Sequence, residues 1–185
     1  MGLLGQFSKS VVLFPYNNIC FLSMKNHLEP LAKAANATQN QHCHLDDVLL
    51  TFGSLYLQFF RQTDPEDTLI RTAVLDSLNK RWSKTEQEVF VAAVVLNPKY
   101  KLKPFANRAW STPAGVYNLL SRLYIRFFGG TLDNLPLGLW ADVAEYLNGT
   151  GVKFTNLDEW IRGREQQLTA AGEVSLSYFS ISADA

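Results

Sequence analysis

The chain has 185 residues, of which 47% are hydrophobic and 12% aromatic, and its 17 basic side chains balance its 17 acidic ones. This length is enough for one domain with a buried core, and the apolar content is too high for an intrinsically disordered chain. A net charge of zero excludes a uniformly basic nucleic-acid-binding protein. Two cysteines are too few for a disulfide framework, so we expect a reducing, intracellular compartment. No apolar run approaches the roughly 20 residues of a membrane span, so we expect no membrane partner.

The first third of the chain predicts two helices. Residues 1–18 show no apolar periodicity and are predicted to be an unstructured leader. A helix is predicted over 19–35. The next helix, over 45–60, has apolar residues three and four positions apart, and it opens with two acidic residues that suit the positive end of the helix dipole.

The middle of the chain predicts one clear helix and one ambiguous element. Asp64 before Pro65 is a helix start signal and predicts a helix over 65–82. Ser83 and Glu86 have the spacing of a capping box before the apolar segment 89–96. That segment contains four valines, so it is either a helix or a short strand, and its length does not decide between them. The apolar stripe of the 65–82 helix is predicted to contain Leu69, Ile70, Ala73, Val74, Leu78 and Trp82.

Three further helices are predicted in the last third, over 112–127, 136–148 and 155–171, and the apolar faces of the last two include Trp140 and Trp160. The predicted fold class is therefore mainly α, an irregular multi-helix domain of about seven helices over 19–172. Residues 173–185 are predicted to be a flexible tail.

The charges are distributed unevenly along the chain. No acidic residue occurs between Val89 and Leu132, and the cations of this window give it a net charge of +6 inside a chain that is otherwise −6. Aromatic residues interleave with the lysines, and such a combination can follow a phosphate backbone and stack on bases. The alternative is a solvated loop whose aromatic residues are core anchors. The predicted nucleic-acid-binding residues are Lys99, Tyr100, Lys101, Lys103, Arg108, Arg122 and Arg126.

Other chemistry has little support in the sequence. His42, Cys43 and His44 are adjacent, but a structural zinc site uses ligands in spaced pairs, so we expect no metal there. Asp142 and Glu145 share a helical face, and a solvated surface explains them better than metal-assisted hydrolysis. The common nucleophile, nucleotide and protease signatures are missing. We therefore expect a protein that is not an enzyme, with no cofactor and no small-molecule substrate.

The segment VAAVVLNPKYKLKPF at 91–105 resembles the block written roughly as LDPRYKL that follows an apolar run in hAT-type transposases and in genes domesticated from them. The upstream LEPLAK at 28–33 and the downstream YNLL at 117–120 are similar to the surroundings of that block in fungal-type members. The chain departs from the block at two positions, because Asn97 stands where Asp is usual and Lys99 where Arg is common.

The resemblance implies a fragment of a ribonuclease H-like transposase, namely the late helical part before the C-terminal dimerisation segment. None of the family's catalytic acids can be assigned to a position of this chain. The resemblance therefore predicts a noncatalytic helical domain, nuclear in location, that contacts DNA without reading its sequence. The alternative is a helical protein-interaction module or homodimer, in which Phe128, Trp140 and Trp160 would be exposed for a partner.

Overall fold

The computed structural model describes residues 13–106 and 108–170, and within these ranges it contains seven α-helices, three short 3-10 turns and no strand. The predicted mainly helical fold with about seven helices is confirmed. The 3-10 turns are Pro65–Asp67, Lys103–Phe105 and Leu132–Asn134. The helices are α1 (Leu13–Gln39), α2 (Leu45–Phe60), α3 (Thr68–Trp82), α4 (Gln87–Leu96), α5 (Pro113–Phe128), α6 (Leu139–Asn148) and α7 (Leu157–Ala170). None of these helices is both long enough and apolar enough to cross a bilayer.

Helix α1 begins earlier than expected. It starts at Leu13, inside the stretch 1–18 that the sequence led us to treat as a leader. Pro15 is compatible with this start, because the first N–H groups of a helix have no intrahelical acceptor and proline in the first turn removes nothing. Residues 1–12 and 171–185 lie outside the described residues, and so does the predicted tail.

Helix α2 is the centre of the first half of the molecule, where it packs against α1, α3 and α4. The core cluster on this side consists of Ala34, Leu55, Phe59 and Leu78, and Phe59 is completely buried. His27 of α1 is also buried and its ring stacks on that of Phe59. Burial of these side chains joins the first three helices into one body.

The predicted stripe of α3 is partly wrong, because Leu69 is 84% exposed and Ile70 is exposed as well. The contact that orients the helix is a hydrogen bond of 2.8 Å from Nε2 of His27 to Oδ1 of Asp67. Asp67 faces α1. Each residue of a helix is rotated by 100° from the one before, so residues 7, 8 and 11 positions after Asp67 lie on the same side as Asp67, whereas Leu69, two positions after it, points away. The side chains that pack inward are Val74, Leu75 and Leu78.

The suggested strand near 89–96 is a helix, α4. Within the described residues there is no other strand with which it could pair, whereas helical geometry lets it bury side chains against both α2 and α5. Val94 and Val95 are completely buried and Ala92 nearly so. Burial on two sides outweighs the modest helix penalty of β-branched residues.

The predicted capping box before α4 is also wrong. The hydroxyl of Ser83 donates to the carbonyl of Lys80, and that of Thr85 donates to the carbonyl of Arg81. Both hydroxyls therefore satisfy the last turn of α3 rather than the first turn of α4. Glu86, the residue before α4, directs its carboxylate to Arg126 of α5 instead.

Helices α4 and α5 form an antiparallel hairpin, and α6 packs against α5. Val95, near the end of α4, meets Val116 near the start of α5, whereas Glu86 at the other end of α4 meets Arg126. Val143 of α6 completes the cluster around Val95 and Val116. The connection between α4 and α5, residues 97–112, is consequently held at one end of this hairpin.

Candidate nucleic-acid interface

Asn97 builds the turn that begins the connecting loop. Its side-chain Oδ1 accepts the backbone N–H of Lys99 at 2.9 Å, and its backbone carbonyl accepts the N–H groups of Tyr100 and Lys101. Its Nδ2 donates to Oδ2 of Asp46 at 2.5 Å, and Asp46 is a buried residue in the first turn of α2. The loop therefore starts from a turn that is fastened to the first half of the molecule.

Lys101 has a structural role in the loop. Its φ of 48° places it in the left-handed region, the sole non-glycine residue there within the described parts of the chain. This conformation directs its ammonium over the ring of Tyr146, 5.2 Å from the centroid, and toward Gly149 at the end of α6. A cation is favourable at both places, over an aromatic face and at the negative end of a helix dipole.

Tyr146 contacts several elements in this part of the molecule. It is buried on α6, and its hydroxyl donates to the carbonyl of Val95 at 3.1 Å. Burial raises its pKa well above the usual value for a tyrosine. Phe154 also contacts this tyrosine, with its ring edge-to-face against Tyr146 at a centroid distance of 5.4 Å. Lys101 is therefore held by packing around one buried phenol.

Lys99 and Tyr100 are only partly exposed. The ammonium of Lys99 lies 2.9 Å from Oε1 of Glu165 on α7, and this hydrogen bond raises the pKa of Lys99. Burial raises the pKa of the half-buried Tyr100. Neither residue is presented as a freely exposed contact, since Lys99 already has a carboxylate partner and one part of the Tyr100 ring is covered.

Lys103 and Arg108 are the two loop cations that remain exposed, and neither forms an ion pair within the described residues. Between them the ring of Phe105 packs on Trp110 at 5.1 Å, so these aromatic residues close the loop on itself. The carbonyl of Trp110 also lies so close to Gly115 that a β carbon there would overlap it. The loop is thereby closed against the first turn of α5.

Arg122 and Arg126 lie apart from the loop. Arg122 donates to Glu88 at 2.8 Å, and Arg126 donates to Glu86 at 2.6 Å, a hydrogen bond that lowers the pKa of Glu86. Glu88 and Asn97 are nine positions apart along α4 and its C-terminal cap, which corresponds to about 14 Å. The seven predicted residues are therefore divided between the two ends of one helical hairpin. Glu86 and Glu88, which lie just before the window without acidic residues, form ion pairs with its two helical arginines.

The other candidate sites are explained by local contacts. No group of three or more potential metal ligands occurs among the described residues. His44 precedes α2, and its backbone N–H donates to the carboxylate of Asp47 at 3.1 Å. Asp142 accepts a hydrogen bond of 2.7 Å from Lys153, and the carboxylate of Glu145 packs closely against Gly151. The Asp142–Glu145 pair is thus occupied by protein contacts.

Large apolar side chains are exposed on the second half of the molecule. Phe128 at the end of α5 is 75% exposed, Trp140 on α6 is 51% exposed and Trp160 on α7 is 58% exposed. Trp140 and Trp160, which were predicted on the apolar faces of their helices, are therefore more than half exposed. Two of the three rest on tyrosines of α5, since Tyr124 packs on Phe128 at 4.9 Å and Tyr117 lies edge-to-face on Trp140 at 5.4 Å.

Sequence reasoning missed the two polar contacts that join distant elements, Asn97 with Asp46 and His27 with Asp67. The chemical signal was present in both cases, because buried polar groups must find partners. The partners are 51 and 40 positions apart, however, and no local spacing links them. No protein family, no curated protein and no solved structure matches this chain.

Proposed function

We propose that this chain is a noncatalytic helical domain, derived from a hAT-type transposase, that contacts the DNA backbone through the loop 97–112 without reading sequence. The observation that carries the proposal is the exposure of Lys103 and Arg108 on a loop whose two ends are fixed. Asn97 fixes one end through Asp46, and Trp110 packs on Phe105 near the other. Cations on a preorganised loop lose less conformational entropy on binding than cations on a free one. The nuclear location follows from the same proposal.

The expected affinity is weak. Each phosphate neutralised by Lys or Arg contributes a slope of about −0.9 to the dependence of log K on log salt. With Lys103, Arg108 and a released Lys99 as contacts, about two to three phosphates are involved. Affinity should then fall about 10- to 40-fold between roughly 50 and 200 mM salt. Arg122 and Arg126 would add to this slope only by exchanging Glu88 and Glu86 for phosphate.

The test is fluorescence anisotropy of the purified chain with a labelled DNA duplex at these two salt concentrations. The variant Lys103→Glu/Arg108→Glu should lose binding at both. The matched control Arg61→Glu/Lys84→Glu makes the same change of charge at exposed positions outside the loop and should retain most of it. Circular dichroism checks that each variant keeps its helicity. Equal affinities of the two double variants would refute the loop as the contact.

A second candidate function is a helical interaction module that pairs with another copy of this chain. The observation that favours it is the exposure of Phe128, Trp140 and Trp160, since exposed aromatic residues are enriched where proteins associate. Light scattering over a range of protein concentrations tests it. Dimerisation would be supported by a mass that rises to twice that of one chain, and by the mass of a single chain at all concentrations for the variant Phe128→Ser/Trp140→Ser. A constant monomer would remove it.

A further inference from the structure

Helix α7 lies beside the connecting loop and contributes a carboxylate to it. Glu165 is two helical turns beyond the start of α7 at Leu157, and its Oε1 is 2.9 Å from the ammonium of Lys99. Lys99 in turn lies 5.8 Å from the ring centroid of Tyr100. The carboxylate therefore occupies a place that a DNA phosphate would take if Lys99 contacted DNA.

The start of α7 is anchored to the same residue that holds the loop. Phe154, three residues before Leu157, packs edge-to-face on Tyr146, and Lys101 lies over that same tyrosine ring. The helix itself begins at Leu157, and its described contact with the loop is the ion pair of Lys99 with Glu165.

The described side chains of α7 are mostly exposed. Trp160 is more than half exposed, and Leu157 and Ile161 are only partly buried. None of the described side chains of α7 belongs to a core cluster. An ion pair between partly exposed side chains contributes little to stability and can be exchanged for another ion. The contact of α7 with the loop can therefore be displaced without disturbing the core.

We infer that α7 is an autoinhibitory element, in which Glu165 holds Lys99 until DNA phosphate displaces it. This inference rests on the proposed DNA contact at the loop 97–112. Binding to DNA then requires an exchange in which phosphate replaces the Glu165 carboxylate as the partner of Lys99. The exchange lowers the affinity of the chain, and any partner that holds α7 aside would raise it.

The experiment compares Glu165→Gln with Glu159→Gln in the full chain, using the same labelled duplex at about 50 mM salt. Both substitutions remove one negative charge from an exposed position of α7, and only Glu165 contacts Lys99. Glu165→Gln should bind the duplex about two- to five-fold more tightly than Glu159→Gln. In a Lys99→Gln background the two substitutions should have equal effects.

Hydrogen exchange supplies a second measurement. On addition of duplex, the amides of α7 should exchange faster if the helix is displaced, while those of α4 and α5 should not change. Equal affinities of the two glutamine variants, or no change of exchange in α7 on binding, would overturn the autoinhibitory role. If binding then still depends on Lys103 and Arg108, the DNA contact stands without it. Absence of binding in every variant would reject the DNA contact and the inference together.

Discussion

The side-chain amide of Asn97 donates a hydrogen bond to the buried carboxylate of Asp46, and its oxygen accepts the N–H of Lys99. One side-chain amide thus donates to a hydrogen-bond acceptor and accepts from a hydrogen-bond donor. An aspartate at this position could cap the turn equally well, but its second oxygen would face the carboxylate of Asp46. The asparagine at position 97 is therefore matched to the carboxylate of Asp46.

Asn97→Asp should therefore destabilise the protein by about 2–3 kcal/mol at pH 7, since it replaces a hydrogen bond with two carboxylates in contact. Urea unfolding at pH 7 measures the loss. Asn36→Asp, at an exposed position of α1, is the control and should change stability little. An unchanged free energy of unfolding in Asn97→Asp would show that the contact with Asp46 carries no weight.

Two substitutions of Lys101 separate the effect of its backbone conformation on stability from the effect of its ammonium group. Lys101→Val should cost about 2 kcal/mol, because a β-branched residue is strained at φ 48° and the ammonium over Tyr146 is lost. Lys101→Asn loses the same ammonium but tolerates the left-handed backbone, so it should cost only about 0.5–1 kcal/mol. Thermal or urea unfolding of the pair tests this order. Equal stabilities would mean that the backbone conformation of Lys101 is not a constraint.

The fold could be predicted from the sequence to the extent that its signals are local. Helix α2 was predicted with its bounds, because apolar residues at three and four spacings and Asp46 at its start are all within 16 residues. The orientation of α3 could not be predicted from local signals, because it depends on the contact of Asp67 with His27, and this contact forms only in the assembled fold. The stripe chosen by hydrophobicity alone placed Leu69 inside, and the polar contact turns it outward.

The cations of the candidate interface could be predicted from the sequence, but their positions relative to acidic residues could not. The cations of the window 89–132 follow from reading the chain, but the acidic residues that pair with them do not. Glu86 and Glu88 lie just before the window and return to Arg126 and Arg122 through the helical hairpin, while Glu165 reaches Lys99 from a distant helix. Counting charges along the sequence therefore overstated the basic surface.

Tyr146 predicts how stability depends on alkaline pH. Its pKa is raised in the folded chain, so between its unfolded value near 10 and its folded value the folded chain binds more protons than the unfolded one. Stability should be intact below about pH 10 and should fall above it, by up to about 1.4 kcal/mol for each pH unit from this group. Tyr100 has a raised pKa through burial and acts in the same direction.

Tyr146→Phe should show a weaker dependence on alkaline pH than the unmodified chain. At pH 7 it should be less stable by about 1 kcal/mol, because the hydrogen bond to the carbonyl of Val95 is lost. Unfolding by urea at pH 7 and at about pH 10.5 gives both quantities, with Tyr124→Phe, at a partly exposed position of α5, as the control. An identical slope of stability with pH in Tyr146→Phe and in the unmodified chain would contradict the burial of this phenol.

The last prediction tests why a valine-rich segment is a helix. Val95→Ala in α4 improves helix propensity but removes two methyl groups from a completely buried site between α5 and α6. Because loss of buried area and the resulting cavity outweigh propensity, it should cost about 2 kcal/mol. Leu96→Ala removes more side chain from the same helix at a half-exposed position and should cost less than about 1 kcal/mol. The reverse order would mean that α4 is stabilised by local propensity, and that its burial against two neighbours does not decide between helix and strand.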